Sequence, residues 1–413
     1  MEIRSCNLRI TSQYPYCNYP LSMDLYTGCP HKCAYCFARV QSMFNDSCTV
    51  EGKEDYDNAI VRGFNPILNM LADPTHYKGS NQVVQEYIKR KQPFHIGGLA
   101  DPFPRGVEEK LGHAKMFIEA VNKFKYPCMW STKNPIPEYA ELMAKGNHII
   151  QCTVIGIGNV FNKIESGVLP GEERLRILKE HYKGKAKKIV VRMQPCIPQL
   201  FTDRSLEEYI KAVSEAADAI TVEFLKMDLH EDFKEMSEYM KVDLRDQYKR
   251  MNNMDGKDYL LPDKLRLDFL KKIRDLAHKY GIEFYVAENQ FRDLGDGPNC
   301  CGINQEKDGI FASKALCNTT NLLYLAKEKG NITIEDLEER MPGFYKTNIK
   351  RDLGINGGTR KTNLEQKATT IEEDLHNIWK TKHRNNPSVM FKHLKPYRDK
   401  NGKVAFRYIY KED

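Results

Sequence analysis

The sequence predicts an α/β fold: a partial (β/α)6 TIM-type barrel followed by a mostly helical C-terminal extension. Two observations carry this. Between Pro93 and Leu225, apolar runs of strand length alternate with amphipathic runs of helix length, which is the pattern of a parallel sheet with right-handed crossovers. The chain has 413 residues, 41% of them hydrophobic, enough for one large domain of barrel size plus an appendage.

Residues 1–20, with Cys6, Cys17 and several tyrosines, read as a lead-in covering one end of the barrel. The barrel itself is expected over 21–290, its first strand at 23–25. The stretch 41–92 shows no clear strand and reads as an inserted helical segment; 66–71 and 82–90 look helical, the latter with Val83, Val84, Tyr87 and Ile88 on one side. Strands at 94–98, 127–132, 148–156, 188–193 and 219–225 then alternate with helices at 107–124, 137–145, 171–182 and 205–217. In the first of these helices Leu111, Ala114, Phe117, Ile118 and Val121 share a face. That makes about six units, whose reactive end is built from the loops at the strand C-termini. A charged helical excursion at 228–250, a helix at 262–280 and a strand at 282–287 follow. Residues 291–330 form a cysteine-containing loop and helices. The extension 331–413 is helical from Thr333 to near Lys382, with Asn401-Gly402 as a hairpin turn.

No apolar run approaches the roughly 20 residues that span a bilayer, and Glu2, Arg4 and Asn7 interrupt any apolar signal-peptide core. A cytoplasmic protein with no membrane partner is expected, its 12 cysteines reduced thiols and metal ligands rather than disulfides. The net charge of +7 is localised: residues 376–413 hold ten Lys and Arg against three acids. Trp379, Phe391, Tyr397, Phe406, Tyr408 and Tyr410 interleave with those cations. Basic groups neutralise phosphates and aromatic faces stack on bases, so 376–413 is a candidate nucleic-acid surface; a solvated basic face over a small core explains the pattern equally well.

The chemistry centres on Tyr26-Thr27-Gly28-Cys29-Pro30-His31-Lys32-Cys33-Ala34-Tyr35-Cys36-Phe37-Ala38-Arg39. Three cysteines at C-x3-C-x2-C spacing, in a turn-rich segment after a strand, can converge on one centre. They are one ligand short of a closed zinc or iron-sulfur site, which leaves a metal corner open. Buried apolar fillers, or a zinc completed by His31, are the plainer alternatives. The aromatic residues either side of Cys36 favour the open cluster. The segment resembles the cluster loop of the radical S-adenosylmethionine (radical SAM) enzymes.

That resemblance implies a 4Fe-4S cluster held by Cys29, Cys33 and Cys36, SAM chelated at its open iron, and an electron donor such as flavodoxin or ferredoxin. Tyr35 and Phe37 would flank the cofactor. Gly97-Gly98 at the end of the second strand resembles the pair that meets the SAM amino group. The run Gly98-Leu99-Ala100-Asp101-Pro102-Phe103-Pro104, then Ser131-Thr132-Lys133-Asn134, then Lys163-Ile164-Glu165-Ser166-Gly167 leading to Glu173-Arg174-Leu175, and Gln194-Pro195-Cys196-Ile197-Pro198, resembles the spore photoproduct lyase-like (DNA repair photolyase-like) branch. By that resemblance Lys133 would pair with the SAM carboxylate, and Arg174 is a candidate for the same polar cluster. One departure stands out: true spore photoproduct lyases carry a hydrogen-donating cysteine where this chain has Gly98. Cys128, Cys152 and Cys196 are other thiols near strands, and for Cys152 a small buried side chain is the better reading.

Cys300-Cys301, in the Gly/Pro-rich loop 295–302, and Cys317 leave three readings open: a second iron-sulfur cluster or a zinc at Cys300, Cys301 and Cys317, a catalytic thiol at Cys300 or Cys301 that donates hydrogen to a substrate radical, or a structural pair. Accordingly the expected function is a radical SAM enzyme acting on a nucleobase or nucleotide, of lyase or transferase type, in nucleic acid repair or modification. A peptide- or protein-modifying enzyme with an auxiliary cluster, and a non-catalytic iron-sulfur or zinc protein, are the alternatives.

Overall fold

In the computed structural model, residues 6, 8–42, 56–75, 82–227, 238, 247–253, 256–304, 307–315, 317–346, 370–380, 383 and 385–411 are described. In chain order the strands are β1 (Arg9–Ile10), β2 (Leu21–Met23), β3 (Tyr26–Thr27), β4 (Ile60–Val61), β5 (Phe94–Ile96), β6 (Cys128–Thr132), β7 (His148–Thr153), β8 (Lys188–Cys196), β9 (Ala219–Phe224), β10 (Lys249–Asn253), β11 (Gly256–Leu260), β12 (Glu283–Val286), β13 (Asn331–Ile332), β14 (Leu394–Arg398) and β15 (Val404–Tyr408). Eight of them form one sheet in the order β1-β2-β5-β6-β7-β8-β9-β12. Every pairing from β2 to β12 is parallel, and β1 adds an antiparallel edge. The architecture is therefore mixed α/β around a mostly parallel sheet.

The sheet has two unlike faces because side chains alternate along each strand. Phe94, Ile96, Trp130, Ile150, Val191, Met193, Ile220, Val222, Phe284 and Val286 are buried in the main core, into which the crossover helices Glu108–Leu111, His113–Lys123, Tyr139–Ala144, Gly171–Ile177, Asp203–Ala216 and Asp263–Lys279 also send their buried residues. Cys128, Cys152 and Cys196 belong to this same core and are fully buried, so all three are small packing side chains. The opposite face begins with an apolar layer of Met129, Ile149, Val190, Ala219 and Tyr285, joined by Tyr19, Ile303 and Phe311. Two residues further toward the strand C-termini, the same face carries Ser131, Gln151, Arg192 and Thr221.

The helix expected over 107–124 is two helices. Gly112 takes φ +60 between them, a left-handed conformation that glycine adopts without a Cβ penalty. The break serves the buried Glu108 carboxylate, which accepts from Ala114 N and Lys115 N at 3.1 Å each and from the hydroxyls of Tyr26 and Tyr139. It caps the second helix, where an acid is favoured by the free N–H groups. The expected excursion over 228–250 lies largely outside the described residues, as does the stretch 347–369 of the extension.

The extension is mixed rather than mostly helical. Beside the helices Ile334–Glu339 and Ile371–Lys380, a three-stranded antiparallel sheet forms in the order β13-β15-β14. The hairpin turns at Asn401-Gly402, where Gly402 has φ +74; the third strand is two residues long and has no periodic signature. Trp379, Phe391 and Phe406 are buried and continuous with the main core, and Trp379 packs edge-on to Phe406. They are therefore unavailable for base stacking, contrary to the expectation for those three. The exposed side keeps Lys395 and Arg407, which face each other across β14 and β15, with Arg407 5.0 Å over the Tyr397 ring.

The lead-in is tied to residues 299–321. Asn18 Nδ2 donates to Asn299 Oδ1 at 2.6 Å and Asn321 Oδ1 at 3.0 Å, and Asn318 Nδ2 donates to Asn18 Oδ1. Thr319 and Thr320 hydroxyls donate to the carbonyls of Pro15 and Tyr16 at 2.9 and 2.8 Å.

Candidate active site

The loop Gly28 to Cys36 follows β3, which pairs with β4. Gly28 has φ +79, and a Cβ there would stand 2.3 Å from the Asn58 carbonyl oxygen, so only glycine fits the turn. Cys29 N donates to Tyr56 O at 2.6 Å. On the other flank Ala34 N donates to Ile164 O at 3.0 Å and Gly167 N to His31 O at 3.1 Å. A Cβ on Gly167 would lie 2.3 Å from that same carbonyl oxygen. Backbone thus fixes the loop from both sides, and the thiols remain free: all eleven described cysteines are unbridged.

Cys33 is buried, whereas Cys29 and Cys36 are half-buried. Burial pushes the Cys33 thiol up to about 12, against a smaller opposing pull from Lys133. Burial, then Asp101, then Cys33 push Cys29 well above the usual thiol value. Each thiol thus lies in the electrostatic field of another. Among the described residues no group of three His, Cys, Asp or Glu closes around a single metal ion. Zinc would need its sulfurs about 3.8 Å apart, given Zn–S near 2.3 Å in a tetrahedron. A 4Fe-4S cluster takes cysteine thiolates, the donor type that Cys29, Cys33 and Cys36 supply.

His31, the residue that could complete a zinc site, is used elsewhere. Arg105 N donates to its Nε2 at 3.1 Å, so the proton sits on Nδ1, which faces Asp101 Oδ2 at 3.4 Å. Burial lowers its pKa despite Asp101, and the ring is neutral. Asp101 in turn joins the strand-end loops, accepting from Phe103 N at 2.9 Å, Thr132 Oγ1 at 2.7 Å and Lys133 N at 2.6 Å.

The glycine pair after β5 is asymmetric. Gly97 has φ +93, and a Cβ would meet Ser131 O at 2.3 Å; at Gly98 a Cβ would meet nothing nearer than Ser22 Oγ at 3.4 Å. The turn that follows is wrapped on Asp24, whose Oδ1 accepts from Leu99 N at 2.9 Å and Ala100 N at 3.3 Å, while Oδ2 pairs with Arg9 at 2.7 Å.

Lys133, Arg174 and Tyr35 meet on Glu165. Lys133 Nζ lies 3.4 Å from Glu165 Oε1 and 5.2 Å from the Tyr35 ring centroid. Tyr35 donates its hydroxyl proton to Glu165 Oε1, and Arg174 donates to Glu165 Oε2 and to the Thr153 carbonyl. Burial opposes the Glu165 charge, but Arg174 and Lys133 outweigh it and hold the carboxyl below the usual range. Arg174 is fully enclosed and therefore acts through Glu165 rather than on a ligand. The cluster of two cations and one anion carries a surplus positive charge, and Lys133, with 19% of its side chain exposed, is the cation that reaches outward. Phe37 opens the helix Phe37–Ser42 and is 59% exposed.

Cys300 and Cys301 lie over the sheet face that carries Ser131 and Arg192. Thr221 Oγ1 donates to Cys300 O at 2.6 Å and Gln151 Nε2 to Cys301 O at 2.5 Å. Gly302 follows with φ +76 and would place a Cβ 2.6 Å from Val190. Cys317 is not part of this set: its thiol donates to Leu337 O at 3.4 Å within the main core. The thiol that accompanies the pair is Cys17, which packs with Cys301 against the same apolar layer. Burial, and after it Cys300, push Cys17 up to about 12 and Cys301 well above its usual value. Cys317 is thus separated from Cys300 and Cys301, which lie on the opposite face of the sheet, contrary to the expectation of a second cluster at these three residues.

Asp24 and most of the belt on β5 to β8 had no motif to announce them, Cys17 was noted only as part of the lead-in, and Glu165, Asp101 and Ser131 lay within motif runs but had no role assigned to them. In the belt Ser131 Oγ donates to Gln151 Oε1 at 2.7 Å and accepts from Arg192 Nη1 at 2.7 Å. Its one proton is therefore committed, so His95 Nε2, 2.8 Å away, carries the hydrogen it shares with Ser131. Burial, then Arg192, lower the His95 pKa to about 3, leaving a neutral ring. The available signal was a polar residue near the C-terminal end of strands otherwise largely apolar, Ser131, Gln151, and Arg192 with Gln194, which a parallel strand packed on both faces does not show.

No family model matches the chain, and no curated protein matches it by sequence. Solved structures do. A spore photoproduct lyase complexed with dinucleoside spore photoproduct is 16% identical over 65% of this chain and 76% of that one, with a TM-score of 0.45. A cysteine variant of the lyase with bound AdoMet and dinucleoside spore photoproduct is 15% identical over 65% and 76%, with a TM-score of 0.45. A tyrosine-to-phenylalanine variant is 16% identical over 69% and 80%, with a TM-score of 0.48.

Proposed function

We propose that this chain is a radical SAM enzyme whose sheet is the partial barrel of that superfamily and whose substrate is a nucleobase or nucleotide, in nucleic acid repair or modification. The observation that carries the reading is the loop of Cys29, Cys33 and Cys36: three free thiols, no described fourth ligand, and a rigid backbone on both flanks. These thiols would hold a 4Fe-4S cluster, and with SAM bound such a cluster supplies a 5'-deoxyadenosyl radical on one-electron reduction, from a donor such as flavodoxin or ferredoxin. Lys133 offers its outward ammonium to the carboxylate of SAM, and Glu165, Arg174 and Tyr35 fix its position. Gly97 and Gly98 let backbone approach the amino group. Cys300 and Cys301 take the place of the thiol absent at Gly98: their carbonyls are fastened to the sheet, and burial keeps the Cys301 sulfur protonated, the form that can return a hydrogen atom. The nucleotide substrate is supported by the sequence resemblance and by the exposed Lys395, Tyr397 and Arg407 surface of the hairpin.

Anaerobic purification with iron and sulfide counting, and electron paramagnetic resonance with and without SAM, tests the cluster. About four irons per chain and a signal that moves with SAM are expected; zinc without iron overturns the reading. For the extension, replacing Lys395, Arg407 and Lys411 by Gln should lower the log–log salt slope of polynucleotide binding by about two to three. An unaltered slope would return the hairpin to a purely structural role.

A further inference from the structure

Among the described residues, Arg192 is a charge without an ion-pair partner on the polar face of the sheet. It sits on β8, on the face away from the crossover helices, half-buried and open to solvent. Its Nη1 donates to Ser131 Oγ at 2.7 Å, and its Nε, at 2.9 Å, and Nη2 both donate to Gln194 Oε1. These partners are neutral. Arg192 forms no ion pair with any described carboxylate, and the acid that most influences it, Glu223, is already paired with Lys226 at 2.5 Å. Of the other described buried arginines, Arg174 is matched by Glu165 and Arg266 by Glu288 and Asp263, while Arg292 donates to the neutral Asn289 side chain inside its own short helix.

A guanidinium has five N–H groups, and the bonds above use three. Two remain, one on each terminal nitrogen, which is the arrangement that grips an oxyanion in bidentate fashion. Burying a cation among neutral groups is costly unless an anion joins it. His95 adds no competing charge, since it is neutral and gives its hydrogen to Ser131. Arg192 also lies in the field of Cys300, Cys301 and Tyr35, so it stands between the two cysteine loops.

We infer that Arg192 is a binding residue for an oxyanion, a phosphate or carboxylate group carried by the molecule processed on this face. The inference rests on the reading of the face as a reaction chamber, and it adds that the substrate is anionic at that point and is oriented by a fork fixed through Ser131 and Gln194.

Phenylglyoxal labelling of the anaerobic, cluster-loaded chain tests it, read by peptide mass mapping in chloride, inorganic phosphate or acetate at equal ionic strength. Arg192 should label in chloride and be protected about five-fold or more by phosphate or by acetate, as a charge-assisted bidentate contact requires; the more protective anion names the group. Arg204, with 89% of its side chain exposed, should label in all three salts, and Arg174, with 1% exposed, in none. Equal labelling of Arg192 in the three salts, or none while Arg204 reacts, overturns the inference. Iron content and 5'-deoxyadenosine formation in the same preparation report on the cluster loop separately. Failure there with protection intact sinks the radical SAM reading and spares the oxyanion site.

Discussion

The two cysteine loops are held in opposite ways. In the loop from Gly28 to Cys36 the contacts that fix the chain are backbone to backbone, to Tyr56 on one side and to Ile164 and Gly167 on the other, and the sulfurs of Cys29 and Cys36 are only half-buried. In the loop with Cys300 and Cys301 the fixing contacts come from side chains of the sheet, Thr221 and Gln151, onto the peptide carbonyls. Cys301 rests on an apolar layer. Metal ligands need a scaffold that survives deprotonation of the thiols, whereas a thiol that keeps its hydrogen needs a dry wall and a fixed peptide. On the proposed reading, the same element, sulfur, would serve two chemistries according to what surrounds it.

The comparison breaks most visibly by exchange to alanine. Cys29→Ala, Cys33→Ala or Cys36→Ala should strip the iron and lower 5'-deoxyadenosine formation by about a thousand-fold or more. Cys301→Ala should retain the iron and lose transfer of deuterium from solvent-exchanged thiol into product. Iron retained in all three loop variants would remove the distinction between the loops. Next in size is Glu165→Gln, which leaves Arg174 buried without its anion and should cost about 3–5 kcal/mol in denaturant unfolding. The pH dependence follows in sign: the Glu165 pKa is lower folded than unfolded, so its contribution is full above about pH 4.3, the unfolded value, and is lost as pH falls through the folded value. The Gln variant should show a flatter acid limb, and an identical limb would place the carboxylate outside the ion cluster.

Thr221→Val removes the donor to Cys300 O and should destabilise by about 1–3 kcal/mol, leaving a buried carbonyl unsatisfied; hydrogen exchange at 299–303 should rise with it. Gly98→Ala is the smallest expected change, within about 0.5 kcal/mol in stability, because its Cβ meets only ordinary contacts. The same substitution one residue earlier drives a methyl to 2.3 Å from Ser131 O. A large loss at 98 would mean that the turn cannot accept a side chain there.

How much of this was legible in the sequence depends on the range of each contact. The cysteine spacing is local, and so is the alternation of strands and helices, and both were readable. The partnership of Tyr35 with Glu165 spans 130 residues, and no periodicity reports it. Cys317 looked like the natural companion of Cys301 by proximity in sequence, but it is turned into the core, and Cys17 from the lead-in takes its place. The extension misled for another reason: its aromatics and cations alternate as a binding face would, yet Trp379, Phe391 and Phe406 are turned inward and join the main core.

The staple of the lead-in onto residues 299–321 sets an order of events during synthesis. Asn18, Pro15 and Tyr16 leave the ribosome first, yet their partners Asn299, Asn318, Thr319 and Thr320 arrive about three hundred residues later, roughly fifteen seconds or more at typical translation rates. Until then Cys17 and the sheet face beneath it have no cover, and long-range closures of this kind are the slow ones in folding. A nascent chain that has not yet released Asn299 from the ribosome therefore leaves Asn18 and the sheet face beneath the lead-in without these partners.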